Sequence, residues 1–287
     1  MEAVFKREFR SLFTSVTGWI YLTVLFIMCG IFTMANSLIG HSSQFEYVLS
    51  SMPLFLLVAV PVLCMRSLSG EKRARTDQLL YSLPIRMSQV VTGKYLALAA
   101  VHAIACLGMG LVPVILSFFG KVHFGSAYSA LAGFLLLGLA LIAINLYISS
   151  LISNQAAVCF TGIAAGFLLY LMNGLASLFP STAAASYLAL ALTALILGGI
   201  VFLLTKNWMV GLVSGIILFG AATVVYAAKK ELFEGLFPKL IKYLAVFDRF
   251  NSFVNGVFDL TAVVYYLSLA VLFVWLATQA MDKKRWS

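Results

Sequence analysis

Eight runs of predominantly apolar residues, each long enough to cross a lipid bilayer, dominate this chain and leave no intervening stretch large enough for a soluble domain. About 20 apolar residues span the roughly 30 Å of hydrocarbon in a bilayer. That ruler marks Thr17 to Ile39, Val48 to Met65, Tyr95 to Phe119, Ala127 to Leu151, Ala156 to Phe179, Ala183 to Leu204, Trp208 to Ala228 and Ala262 to Met281. Hydrocarbon offers no partner to a bare backbone N–H or C=O, so such runs cross as α-helices that satisfy their own hydrogen bonds. The expected fold is an all-α polytopic membrane protein of about eight transmembrane helices, a single membrane domain over residues 1–287. Composition agrees, with 62% of residues hydrophobic and 10% charged, where soluble domains carry about 45–50% and about 25%. The second span is the shortest and contains Pro53 and Pro61, so it is expected to kink.

Loops rich in Lys and Arg stay on the cytoplasmic side of a membrane. With the N-terminus inside, the inner segments hold thirteen such residues, six of them between Arg66 and Lys94, and the outer segments hold six. The bias places both termini in the cytoplasm and calls for an even number of spans. Lys6, Arg7 and Arg10 interleave with phenylalanines and no small-residue cleavage site closes the first apolar run, so that run is expected to be retained as a span.

Three segments fall between the spans. In residues 1–16, Phe5, Phe9, Leu12, Phe13 and Val16 share one helical face while Lys6, Arg7 and Arg10 lie off it, which predicts an interfacial helix. Residues 66–94 form a cytoplasmic loop in which the charged cluster Glu71, Lys72, Arg73, Arg75 and Asp77 is followed by apolar Leu79, Leu80 and Leu83, with Pro84 stopping a helix near Leu83. A solvated loop obeying the orientation rule would explain the charges but not the apolar end. Residues 229–261 are rich in aromatics, and Phe233, Leu236, Phe237, Leu240, Ile241, Leu244 and Phe247 make a helical stripe with Pro238 inside it. Such a stripe predicts a re-entrant or amphipathic extracytoplasmic element, kinked or broken at Pro238.

The chemistry absent from the spans matters as much. All ten acidic residues lie outside the eight predicted spans, whereas ion-coupled transporters commonly keep a carboxylate near the midplane. His102 is the one span residue able to titrate near neutral pH. No nucleophile and base in catalytic spacing and no His-Glu-x-x-His accompany it. Cys29, Cys64, Cys106 and Cys159 lack metal or disulfide spacing and the ten methionines are scattered, so no metal site is expected. The nearest approach to a phosphate loop, Ser88 to Tyr95, has Ser88 in place of the first glycine and Tyr95 after Gly93 and Lys94. No nucleotide is expected to bind this chain. Two pairs of glycines at spacing four, Gly162 with Gly166 and Gly211 with Gly215, are candidate seams for helix packing or for a dimer.

Three stretches resemble the permeases of the type-2 ABC exporter superfamily, in particular its gliding-motility-type branch. The start, Lys6-Arg7-Glu8-Phe9-Arg10 followed by Gly18-Trp19-Ile20-Tyr21-Leu22, is similar to that family's basic interfacial helix and first span. The loop Met65 to Arg73, with Thr76-Asp77-Gln78-Leu79-Leu80, Leu83-Pro84-Ile85 and Gly93-Lys94-Tyr95-Leu96-Ala97, is similar to its coupling region. Phe247-Asp248-Arg249-Phe250 with Phe253, Gly256, Asp259 and Tyr265 to Ser268, closing on Lys284-Arg285-Trp286, resembles its signature before and through the last span. The family core has six spans, so Ala183 to Leu204 and Trp208 to Ala228 read as an added hairpin.

The resemblance implies a transporter subunit rather than an enzyme, in the bacterial inner membrane, working as a dimer with a second copy or a related permease. It binds no cofactor itself; ATP and magnesium belong to a partner ABC ATPase, and no nucleic acid is involved. A helix over roughly Gly70 to Leu83 would dock on that ATPase, with Glu71, Lys72, Arg73, Arg75 and Asp77 orienting it and Leu79, Leu80 and Leu83 anchoring it. Phe247, Asp248, Arg249, Phe250, Phe253 and Asp259 would form an extracytoplasmic gate, the phenylalanines as an apolar plug. Two other readings stay open on the residues alone: an energy-independent channel or scramblase-like protein, and an intramembrane enzyme built on His102.

Overall fold

The computed structural model describes residues 1–40, 44–73, 86–205, 209, 212, 216, 217, 219, 220, 223, 226 and 230–286. Among them the protein is all helical. Helix α1 covers Glu2–Thr14 and α2 Val16–Thr33, the latter continued by a π-helical segment, Met34–Ile39. Then come α3 (Phe45–Ser50), α4 (Pro53–Cys64), α5 (Ser69–Arg73), α6 (Met87–Met109) and α7 (Val112–Ser117). They are followed by α8 (Phe124–Leu151), α9 (Gln155–Leu178) and α10 (Ala183–Thr205). A 3-10 turn (Lys230–Phe233) leads to α11 (Leu236–Leu244), α12 (Phe250–Val254) and α13 (Leu260–Trp286).

Six helical segments among the described residues are long and apolar enough to cross a membrane: Val16–Ser37, Pro53–Arg73, Met87–Ser117, Phe124–Leu151, Gln155–Leu178 and Leu260–Lys283. They correspond to six of the eight expected spans, and the protein is a polytopic helical membrane protein. The seventh expected span, Ala183 to Leu204, coincides with α10, whose described apolar part is Ala183–Thr193. Most of the eighth, and with it Gly211 and Gly215, lies outside the described residues.

Several boundaries differ from the sequence reading for identifiable reasons. The expected span from Val48 is two helices, because Pro53 has no N–H to continue the hydrogen-bond ladder of α3 and takes the first position of α4 instead. Pro61 stays inside α4 without breaking it, and its carbonyl accepts from Met65 N at 2.9 Å. Helix α6 starts at Met87, two turns before the expected Tyr95, so Lys94 is a helical residue and not a loop residue. The stripe expected to run from Phe233 to Phe247 is interrupted at Gly235, whose φ of +66° suits glycine. Pro238 falls in the first turn of α11, where a missing N–H costs nothing, so it neither kinks nor breaks the helix.

The chain forms two compact units, residues 1–168 with 249–287, and residues 169–248. The first is built around α8, against which α13, α12, α6, α4 and α3 pack. Small residues make that density possible. A Cβ on Gly138 would lie 2.0 Å from His102 Nε2, and one on Gly133 would lie 2.6 Å from the Phe253 ring. His102 is fully buried, shares a 2.7 Å hydrogen bond with Tyr21 Oη through Nδ1, and has Phe134 O at 3.4 Å from Nε2. The neutral tautomer with its proton on Nε2 satisfies both contacts: Tyr21 O–H donates to Nδ1, and Nε2–H donates to Phe134 O. This residue ties α2, α6 and α8 together.

The second unit is held by aromatic contacts. Tyr187 of α10 stacks on Tyr226 at 4.5 Å, Phe233 meets Tyr226 edge-on at 5.4 Å, and Phe179 meets Phe237 at 4.9 Å. Gly235 N donates to Ser181 O at 2.9 Å, fixing the start of α11 beside the start of α10.

Candidate functional site

The expected coupling loop enters the described structure as α5, and it is anchored on three sides. Its first residue sits at the end of α8, where Ser149 Oγ accepts from Leu68 N at 3.2 Å and from Ser69 N at 3.0 Å. These are two of the donors a helix start leaves open, so Ser149 caps α5 from another helix. Ser69 Oγ bonds back to Met65 O, and Lys72 Nζ donates to Ser150 O. Gly70 faces Gln155 at the start of α9, where an added Cβ would be 3.3 Å from Nε2.

The second anchor is ionic. Lys94 Nζ lies 2.9 Å from Glu71 Oε1 and 3.1 Å from Glu8 Oε1, and donates to Ser67 O at 2.9 Å. Arg7 adds the outer edge, 2.7 Å from Glu8 Oε1 and 3.0 Å from Glu71 Oε1. The Lys94 side chain is 1% exposed, the carboxylates 18% and 17%, and Arg7 58%. An ammonium this deep is costly unless paired and hydrogen-bonded. Here two carboxylates and a carbonyl meet its three protons. The hydrogen bond to Glu8, opposed by partial burial and reinforced by the charges of Glu8 and Glu71, holds the Arg7 guanidinium above its ordinary value. Among the described residues, two cations balance two anions in this cluster.

The third anchor is the packing of α1 on α6. Gly93 leaves room for Val4, which an added Cβ would approach to 3.1 Å. Phe5 stacks on Phe9 at 5.7 Å, Phe9 meets Phe13 at a tilt at 4.9 Å, Phe13 meets Trp19 edge-on at 5.8 Å, and Trp19 Nε1 donates to Phe13 O at 2.9 Å. The corner between α1 and α2 is thereby fixed. Arg7 and Glu8, one turn from Val4, are delivered to Glu71 by that packing.

Of the eight residues singled out in the loop, Glu71, Lys72 and Arg73 are described; the first two make the contacts above and Arg73 is exposed. Arg75, Asp77, Leu79, Leu80 and Leu83 lie outside the described residues. The partners that sequence reasoning missed are Glu8, Ser149 and Ser150. The sequence places Lys94 among the loop's positive charges and in the stretch similar to the coupling region, but does not pair it with Glu8 or Glu71.

The expected gate residues fall in both units. In the second, Phe247 meets Tyr170 edge-on at 5.4 Å and Asp248 Oδ1 accepts from Asn173 Nδ2 at 2.8 Å. In the first, Phe250 and Phe253 are buried against α8, Phe250 packing on Phe134 at 6.3 Å. Arg249 lies over the Tyr265 ring at 4.2 Å. Asp259 Oδ1 accepts from Thr261 N at 2.8 Å and so caps α13. Gly162 and Gly166 serve close packing within the chain: a Cβ would lie 2.1 Å from Asn145 Oδ1 at the first and 3.0 Å from Leu57 at the second.

Among the described residues no group of three or more His, Cys, Asp or Glu side chains could hold a metal ion. Compared with known families, residues 4–219 match the family described as ABC-2 family transporter protein. The match takes in α1, α5 and the ionic corner, and ends before the stretch from Phe247. No curated protein matches the chain.

Proposed function

Because the chain belongs to the ABC-2 family of transporter proteins, we propose that it is the permease subunit of an exporter driven by a separate ABC ATPase. That partner would hold ATP and magnesium, and this chain would bind no cofactor. The observation that carries the reading is the anchoring of α5. A segment that receives force from an ATPase must be rigidly joined to the helices it moves. Glu71, Lys72 and the backbone of Leu68 and Ser69 supply such joints, to α1, α6 and α8.

On this reading residues 70–83 are the coupling segment, with the bundle end that carries α1 and α5 facing the cytoplasm of a bacterial inner membrane. Two permeases, a homodimer or this chain with a related one, would rock between inward- and outward-facing states as two ATPases close. The element from Phe247 to Asp259 would gate the extracytoplasmic exit. Its likeness to the gliding-motility-type branch supports that placement.

Cross-linking tests the proposal. Arg73 is exposed and Cys29, Cys64 and Cys106 are buried, so Arg73→Cys in a Cys159→Ser background offers one reachable thiol. Cross-linking to a co-expressed ATPase, faster with Arg73→Cys than with a cysteine at exposed Tyr243, is the expected result. Equal rates at the two positions would remove α5 as the docking point.

A further inference from the structure

A cavity of about 190 Å³ opens beside the ionic corner, between α1, the start of α2, the end of α4 and α6. Against the roughly 30 Å³ that a water occupies in the liquid, it has room for a small headgroup. Its walls are of two kinds. Leu12, Leu63 and Leu98 make an apolar side, while Glu8, Arg66, Lys94 and the hydroxyls of Ser11, Ser15 and Thr17 make a polar one. Lys94 is fully buried there and matched by carboxylates, whereas Arg66 forms no ion pair among the described residues. Because Arg7 and Lys94 balance Glu8 and Glu71, Arg66 leaves this lining with an excess positive charge. The aromatic face of α1, ending at Phe13 and continued by Trp19 in the first turn of α2, is the kind of surface that seeks the membrane interface.

We propose that this cavity holds the headgroup of an anionic glycerophospholipid. A guanidinium fork suits a phosphodiester, the hydroxyls of Ser11 and Thr17 add neutral donors while that of Ser15 donates to Leu12 O, and a leucine wall suits the first methylenes of an acyl chain. A soluble phosphate would use the same polar side but leave the leucines wet. Glu8 and Lys94 line the cavity and also hold Glu71, so a seated lipid braces the joint of α5. That consequence rests on α5 being the coupling segment; the binding itself does not.

The test uses the purified full chain in detergent without any ATPase, so its outcome is independent of coupling. Short-chain phosphatidylglycerol, phosphatidylethanolamine and soluble glycerol 3-phosphate are titrated while thermal stability is read. Saturable stabilisation by phosphatidylglycerol is expected, weakened roughly tenfold by Arg66→Ala, which removes a charged hydrogen-bond donor. Ser11→Phe, which keeps every charge but fills the cavity, is expected to abolish it. Arg10→Ala, exposed and outside the lining, is expected to stay within about twofold because a surface charge is screened. Undiminished binding in Arg66→Ala or Ser11→Phe overturns the proposal. So does equal stabilisation by phosphatidylethanolamine, or by glycerol 3-phosphate alone, which would reassign the cavity to a soluble phosphate.

Discussion

Replacing Lys94 by methionine removes the one fully buried charge of the corner while keeping the side chain's length and helical preference. Glu8 and Glu71 then face each other with Arg7 as the cation they share among the described residues, and Ser67 O loses a donor. Breaking a buried ion pair from one side costs about 3–5 kcal/mol. The carboxylates keep 18% and 17% of their surface in contact with solvent and recover some hydration, so the lower end, about 3 kcal/mol, is expected. At about 2–4 °C per kcal/mol that is a fall in Tm on the order of 6–12 °C. Adding Glu71→Gln removes one negative charge and leaves Arg7 with Glu8 as a balanced pair. The double variant is therefore expected to be more stable than Lys94→Met alone, with a coupling energy of about 1–2 kcal/mol, within the range for contacting residues. Thermal unfolding in one detergent, with the four corners of the cycle compared, reads this out. A Tm for Lys94→Met within a degree of wild type, or strictly additive losses, would refute the network as a structural joint.

Other outcomes follow from the same contacts. Gly138→Ala forces a methyl onto the His102 ring, and overpacking of this kind costs about 1–3 kcal/mol; a Tm equal to wild type would mean that α6 and α8 are free to separate. Asp259→Ala removes the cap of α13, with an expected loss of about 0.5–2 kcal/mol, measured by the same melt. Asp248→Ala removes the bond to exposed Asn173, a contribution of about 1 kcal/mol, and substrate efflux from vesicles is expected to fall. Unchanged efflux would remove Asp248 from the gate. Ser149→Ala leaves Leu68 N and Ser69 N without their acceptor, at a cost of about 1–3 kcal/mol, and faster amide exchange at those two positions is the readout.

The membrane helices were legible because a bilayer demands long apolar runs, and α1 was legible because Phe5, Phe9 and Phe13 recur at helical spacing. The break before Pro53 was legible as a kink but not as a separate α3, since Ser50 and Ser51 are too short a polar interruption to divide the apolar run from Val48 to Met65. Glu71 and Lys72 could be singled out by composition, yet their partners could not. Glu8 and Lys94 are far from Glu71 in sequence, and pattern reading relates only neighbours on one helix. Lys94 was hidden further by the expected start of its helix at Tyr95. Hydropathy dates a span from the last charge before it, whereas this charge is neutralised inside the helix. The aromatic stretch from Phe233 looked like one stripe because periodicity continues through Gly235 while the backbone does not.

Co-purification tests most directly whether residues 70–83 join this permease to a separate ATPase. The chain would be extracted in detergent with candidate ATPases from the same source. Wild type would be compared with a variant whose Glu71, Lys72, Arg73 and Arg75 are charge-reversed and whose Leu79, Leu80 and Leu83 are changed to Asp. The account predicts an ATPase that accompanies wild type and is lost with the variant, both forms eluting as folded protein. An ATPase retained equally by both, or by neither, would contradict it.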